Sequence, residues 1–163
     1  MAEPYPIEKW VWTEADFERM GWHDSQVHAL AFSPETSELL LDIDYIFEWI
    51  HPEPGETYFK FWTAPATLIF EDVYDVDFDI GSYSGGLEID GIKREDARQP
   101  RNAPYIRHDL ERLWTIDCQE GEIKLRSAGY TQYIRAAPQF GRQKLELSAR
   151  GGYSFKRGRT DAL

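Results

Sequence analysis

Leu39-Leu40-Leu41-Asp42-Ile43-Asp44-Tyr45-Ile46-Phe47-Glu48-Trp49 is the stretch that decides the fold. Its odd positions carry Leu39, Leu41, Ile43, Tyr45, Phe47 and Trp49, and its even positions carry Asp42, Asp44 and Glu48. Side chains of a strand alternate between two faces, so a period of two with one apolar parity marks a half-buried antiparallel strand. The same logic extends on both sides. Val27 to Ser33 reads as a preceding strand, with Ser33-Pro34-Glu35-Thr36-Ser37 as the turn between them. Pro52, Pro54 and Gly55 make the next turn, and Thr57 to Trp62 returns. Setting Trp49 opposite Phe59, Phe47 opposite Phe61 and Glu48 opposite Lys60 gives two aromatic pairs and one ion pair, each contributing about 0.2–1 kcal/mol.

Ala66 to Ile80 repeats the alternation over a longer distance. Leu68, Phe70, Tyr74, Val76, Phe78 and Ile80 share one parity, while Glu71, Asp75, Asp77 and Asp79 share the other. Such a length calls for a bend or bulge near Asp72-Val73. Gly81 to Gly86 reads as a loop, Leu87 to Ile92 as a strand and Lys93 to Tyr105 as a long basic loop. Ile106 to Trp114 is ambiguous between helix and strand. Strands follow up to Cys118, over Glu122 to Ser127 and over Tyr130 to Ala136, and Lys144 to Ala149 is a candidate for one more. Near the start, Thr13 as N-cap, Asp16 three residues on, a Trp12–Phe17 staple and Gly21 as a stop predict one short helix. Trp10, Trp12 and Trp22 are expected to seal one end of a core. The sum is a mainly β chain: a single domain over residues 1–150 and a flexible basic tail over 151–163. Its expected form is an antiparallel β-sandwich or strongly bent, barrel-like sheet of eight to nine strands, with one short N-terminal helix.

The charge is divided along the chain. Residues 1–92 hold 20 Asp/Glu against Lys9, Arg19 and Lys60, a balance of −17; residues 93–163 hold 15 Lys/Arg against 9 Asp/Glu, a balance of +6. The net charge of −11 argues against nucleic-acid binding. Apolar runs such as Thr67 to Phe70 are far too short to cross a membrane, and Met-Ala-Glu-Pro-Tyr-Pro has no signal-peptide character. Cys118 is the one cysteine, so no intramolecular disulfide can form and a reducing, cytoplasmic setting is expected.

Several constellations look like chemistry and fail on spacing. His23-Asp24-Ser25-Gln26-Val27-His28 offers metal-binding residue types, yet His23 and His28 have opposite parity on one strand. Asp75-Val76-Asp77-Phe78-Asp79 starts like a calcium loop, but the sixth and twelfth positions are Ile80 and Gly86 instead of Gly and Glu. Ser82 and Ser84 lie in a glycine-rich loop without a nucleophile elbow, and Cys118 alternates with Trp114 and Ile116 like a core residue. No cofactor is expected.

Gly21-Trp22-His23-Asp24 leading into a strand, Leu40-Leu41-Asp42-Ile43-Asp44-Tyr45, and Ala66-Thr67-Leu68-Ile69-Phe70-Glu71-Asp72-Val73 together resemble small uncharacterised bacterial β-domain proteins, some of the polymorphic-toxin immunity kind. The resemblance covers about the first half of the chain and rests on strand patterns, so it assigns no residue a role. It implies a non-enzymatic protein-binding domain, an immunity-type inhibitor of a basic protein partner. The acidic strand face of Asp42, Asp44, Glu48, Asp75, Asp77 and Asp79 would make the contact, unless the basic strands of the second part cover it. A second reading is a small-ligand or carbohydrate binder using Tyr45, Trp49 and Trp62 of the aromatic strip. A third is a metal-dependent hydrolase at His23, Asp24 and His28.

Overall fold

The computed structural model describes residues 3–105 and 107–160. Ten strands are present among them: β1 (Val11–Thr13), β2 (Ser25–Ser33), β3 (Glu38–Ile50), β4 (Lys60–Glu71), β5 (Tyr74–Asp79), β6 (Glu88–Arg98), β7 (Glu111–Cys118), β8 (Gly121–Ser127), β9 (Gly129–Ile134) and β10 (Gln139–Gly141). All pairings are antiparallel, in one open sheet ordered β1-β9-β4-β3-β2-β6-β7-β8-β5, with β10 attached to β4. β2 joins the two halves: Val27 to Ser33 pair with β3, whereas Ser25 and Gln26 pair with β6. One core draws on both halves, setting Leu39, Leu41, Leu68 and Phe70 with Ile89, Trp114, Ile116 and Ile123. Phe70 and Trp114 meet edge to face at 5.5 Å.

The odd parity of the deciding stretch enters this core as expected through Leu39, Leu41, Ile43 and Tyr45. The expected register beyond it is corrected. Ile46 opposes Thr63 and Glu48 opposes Trp62, so Phe47 is a bulge; Trp49 then faces Phe61 and Ile50 faces Lys60. Trp49 still touches both Phe59 and Phe61, at 5.8 and 5.0 Å, and Lys60 pairs with Glu56 instead of Glu48.

β4 fuses two expected segments across Pro65. Proline is tolerated there because β4 changes partners at that point: β10 bonds residues 61–63 and β9 bonds 66–71. The Pro65 carbonyl still accepts the Arg135 amide at 2.9 Å. The anticipated bend at Asp72-Val73 is a full break. Asp72 has φ 51°, the Val73 amide bonds the Ser37 carbonyl at 2.8 Å, and β5 leaves to pair with β8.

Other expectations are also corrected. Lys93 to Arg98 is not loop but the continuation of β6 along β7, and Glu111 to Trp114 is strand; Ile106 lies outside the described residues. Lys144 to Ala149 forms no strand; it leads into a single α turn, α1 (Leu147–Arg150), closed by Gly151 at φ 80°. The N-terminal element is a 3-10 turn over Glu14–Arg19, with the capping box formed by Thr13 and Asp16. Phe17 packs on Trp22 and Trp114, not on Trp12. No helix among the described residues is long and apolar enough to cross a membrane.

Candidate functional site

The even positions of β3 point away from the apolar core, and residues 142–160 return across them. Asp42 and Asp44 are both 0% exposed. Arg150, at the end of α1, spends all five guanidinium N–H donors here. Nη1 and Nη2 hold the Asp42 carboxylate at 2.9 and 2.7 Å, Nε reaches Asp44 at 3.0 Å, and the remaining two donors go to the Gly152 and Ile43 carbonyls. Arg135 adds a bond to Asp42 at 2.8 Å and one to the Thr67 hydroxyl at 3.0 Å. The amides of Ser154 and Leu145 donate to Asp42 and Asp44, both at 2.9 Å. Burial pushes the Asp42 carboxyl up, but the bonds from Arg150, Ser154 and Arg135 outweigh it and hold the group below its ordinary value. Two carboxylates face two guanidiniums, so the cluster is balanced and closed to a partner.

The residues expected to form a flexible tail make further contacts of the same kind. Thr67 donates to the Lys156 carbonyl at 2.7 Å, Arg157 pairs with Glu38 at 2.6 Å, and the Thr160 amide bonds the Arg135 carbonyl at 2.7 Å. Residues 151–160 are therefore an arm fastened to the sheet; 161–163 lie outside the described residues.

Beside the cluster lies a groove of about 740 Å³ between residues 142–153 and the start of β4. Phe59, Phe61 and Tyr153 supply aromatic walls, and Arg142 and Lys144 stand in the lining. His28 reaches it from β2. Its side chain is 6% exposed, and Nε2 lies 2.7 Å from Asp44 Oδ2. With Nε2 donating to the carboxylate, Nδ1 has no hydrogen-bond partner among the described residues.

The remaining acidic positions lie elsewhere. β5 ends the sheet and carries Asp75, Asp77 and Asp79 exposed, opposite Lys124 and Glu122 of β8. None of the three makes an ion pair among the described residues. Beside them Phe78 and Phe32, 39% and 52% exposed, touch at 5.8 Å. Asp75 sits at φ 50° in a bulge between Tyr74 and Asp77. Gly121 allows β8 to start under β5, because a Cβ there would lie 1.9 Å from the Asp79 carbonyl. The six expected carboxylates thus share no single surface: Asp42 and Asp44 are buried, Glu48 is exposed beyond the bulge, and the β5 trio lies on the strand that ends the sheet order, five places from β3.

The other sequence candidates are dispersed as well. Tyr45 is buried, with its hydroxyl near the Gly21 amide at 3.4 Å, and burial pushes its pKa up to about 12. Trp49 stacks on His23 at 5.7 Å, and Trp62 packs against Tyr5 and Phe140, so neither lines the groove. His23 bonds the Asp90 carbonyl and stands 3.6 Å from Asp24, whereas His28 is turned to Asp44. No three His, Cys, Asp or Glu converge as a metal site among the described residues. Cys118 is buried in the core, which pushes its thiol up to about 12 and leaves no thiolate for chemistry near neutral pH. Arg142, Lys144, Arg150 and Tyr153 were not legible as a set. The only signal was the basic excess after residue 92 and the Leu147–Arg150 turn stopped by Gly151-Gly152. No family model, no curated protein and no solved structure matches this chain.

Proposed function

We propose that this chain is a non-enzymatic protein-binding domain that captures a basic partner along its edge strand β5. The observation that carries the reading is the pairing of three exposed, unbridged carboxylates on the terminal strand β5, Asp75, Asp77 and Asp79, with the exposed contact that Phe78 of that strand makes with Phe32 of β2. Edge charges alone also guard against unwanted strand pairing. Two exposed rings serve no such guard, and an apolar pair rimmed by charge is the composition of an interaction surface. The likeness of residues 21–73 to immunity-type β-domains supplies the partner's class, a basic toxin domain. The scaffold that goes with this reading is a sandwich-like sheet folded about β2.

The test is capture on the immobilised chain from the native host, with neighbouring gene products included, using wild type and the Asp75→Asn/Asp77→Asn/Asp79→Asn variant. A basic protein held at low salt, released at high salt and not held by the variant is the expected result. Capture unchanged by the variant, or insensitive to salt, overturns the assignment.

A further inference from the structure

We infer that the groove between residues 142–153 and the start of β4 binds a small organic anion with an aromatic body. This site is separate from β5 and does not depend on the protein-binding reading. Its size comes first: about 740 Å³ lies within the roughly 300–1,000 Å³ typical of small-molecule sites, and it is walled by Phe59, Phe61 and Tyr153.

Charge supplies the second argument. Most lysines and arginines of this acid-rich chain find carboxylates, as Lys9 does with Asp16, Lys60 with Glu56, Lys93 with Asp117 and Arg157 with Glu38; among the described residues Arg101, Arg107 and Lys156 do not, and none of these three lines the groove. Arg142 and Lys144 are exposed, and neither pairs with a carboxylate among the described residues. Glu146 also lines the groove, so the fixed charge there is two cations against one anion. A ligand bearing one carboxylate, sulfonate or phosphate completes the balance.

The third argument is His28. Its ring is more than nine-tenths buried, Nε2 is committed to Asp44, and Nδ1 has no partner. Ser25 Oγ and Gln132 Nε2 are the sealed side-chain atoms without a partner among the described residues, so His28 Nδ1 is open rather than sealed, and an open imidazole nitrogen at the wall of a groove is a hydrogen-bonding position for a ligand hydroxyl or amine. Asp44 fixes the ring in place, and Arg150 and the Leu145 amide fix Asp44 in turn.

The probe is 1-anilinonaphthalene-8-sulfonate, an aromatic anion of fitting size, with the uncharged N-phenyl-1-naphthylamine beside it. Fluorescence titration of the folded chain should give saturable binding of one sulfonate probe per protein. Arg142→Gln/Lys144→Gln should weaken the sulfonate at least about tenfold, while changing the neutral probe less than about twofold. Tyr153→Ala, at a residue 61% exposed, should weaken both. The three substituted side chains lie on the surface, and unchanged thermal melting identifies the folded variants. The Asp75→Asn/Asp77→Asn/Asp79→Asn variant should bind the sulfonate as wild type does, which keeps this site's failure distinct from failure of the β5 reading. Absence of saturable binding, or equal loss of both probes in the Arg142/Lys144 variant, overturns the inference.

Discussion

Replacing Arg150 by Met should unfold more of this protein than any other single surface-to-core charge change. The substitution keeps an unbranched side chain of similar length but removes five N–H donors, two of them on Asp42 and one on Asp44. What remains beside two carboxylates that are 0% exposed is Arg135, two backbone amides and His28. The cluster passes from balanced to one uncompensated negative charge in a closed site. Breaking a buried pair by removing one partner costs about 3–5 kcal/mol. At about 2–4 °C per kcal/mol for a chain of this size, the melting temperature should fall by about 6–20 °C. Urea unfolding followed by circular dichroism measures the loss directly, and an unchanged m-value identifies it as stability. Adding Asp42→Asn restores charge balance around Asp44 and Arg135, so the double variant should recover part of the loss, with a coupling of about 0.5–3 kcal/mol. A single-variant loss below about 1 kcal/mol, or strict additivity in the double, would refute the view that Arg150 holds the arm onto β3.

Gly121→Ala should cost at least about 2 kcal/mol in urea melts, since φ is 147° and the added methyl would overlap the Asp79 carbonyl. Glu88 is pushed above its ordinary pKa by burial and then by Asp24, Glu120 and Asp90. Its ionised form therefore disfavours the fold above that raised pKa. Glu88→Gln should stabilise at pH 7 by a few tenths of a kcal/mol, and the gain should vanish as pH falls and wild-type Glu88 takes up its proton. Asp42 and Glu38 shift the other way, below 3.8 and 4.5 respectively: Arg150, Ser154 and Arg135 outweigh burial at Asp42, and the bonds from Arg157 and Thr36 outweigh it at Glu38. Their contribution is fully present above the unfolded values and lost as pH falls through the folded ones. Wild-type stability should drop steeply below about pH 4, and Asp42→Asn should show a shallower acid limb.

The deciding stretch announced its own geometry because its parity is unbroken for eight residues. Tyr45 and Ile43 could only face a core, and Asp42 and Asp44 could only face away from it. Where parity is interrupted the sequence loses information. Phe47 is apolar on both readings, so nothing local marks it as a bulge, and the expected pairing of Phe47 with Phe61 looked as good as the real one with Trp49. The second half of β6 was illegible for another reason. Arg94, Glu95, Asp96 and Arg98 are polar and Ala97 is exposed, because that strand is held by its bonds to β7 and not by a buried face. Read as sequence, one strand ends at Trp62 and another begins at Ala66. The break is real, but it belongs to the neighbours of β4, which change from β10 to β9 there, and β4 itself runs through.

The site was hidden by distance along the chain. That a face is acidic can be read from β3 alone; what covers it lies about a hundred residues further on, where Arg150 reaches Asp42 across 108 positions. The divided charge is largely a record of this topology. Glu14 meets Arg94 and Arg112, Glu38 meets Arg157, and Asp42 meets Arg135 and Arg150, each pair joining the acidic first part to the basic second. Neutralisation across that division explains these charged side chains as structure. Among the charges it leaves over are Asp75, Asp77 and Asp79 on the free edge of β5, and Arg142 and Lys144 in the groove. Exposed charges without partners contribute little to stability. Their arrangement beside exposed aromatic rings, in two places and with opposite signs, is the feature that binding would account for and folding does not.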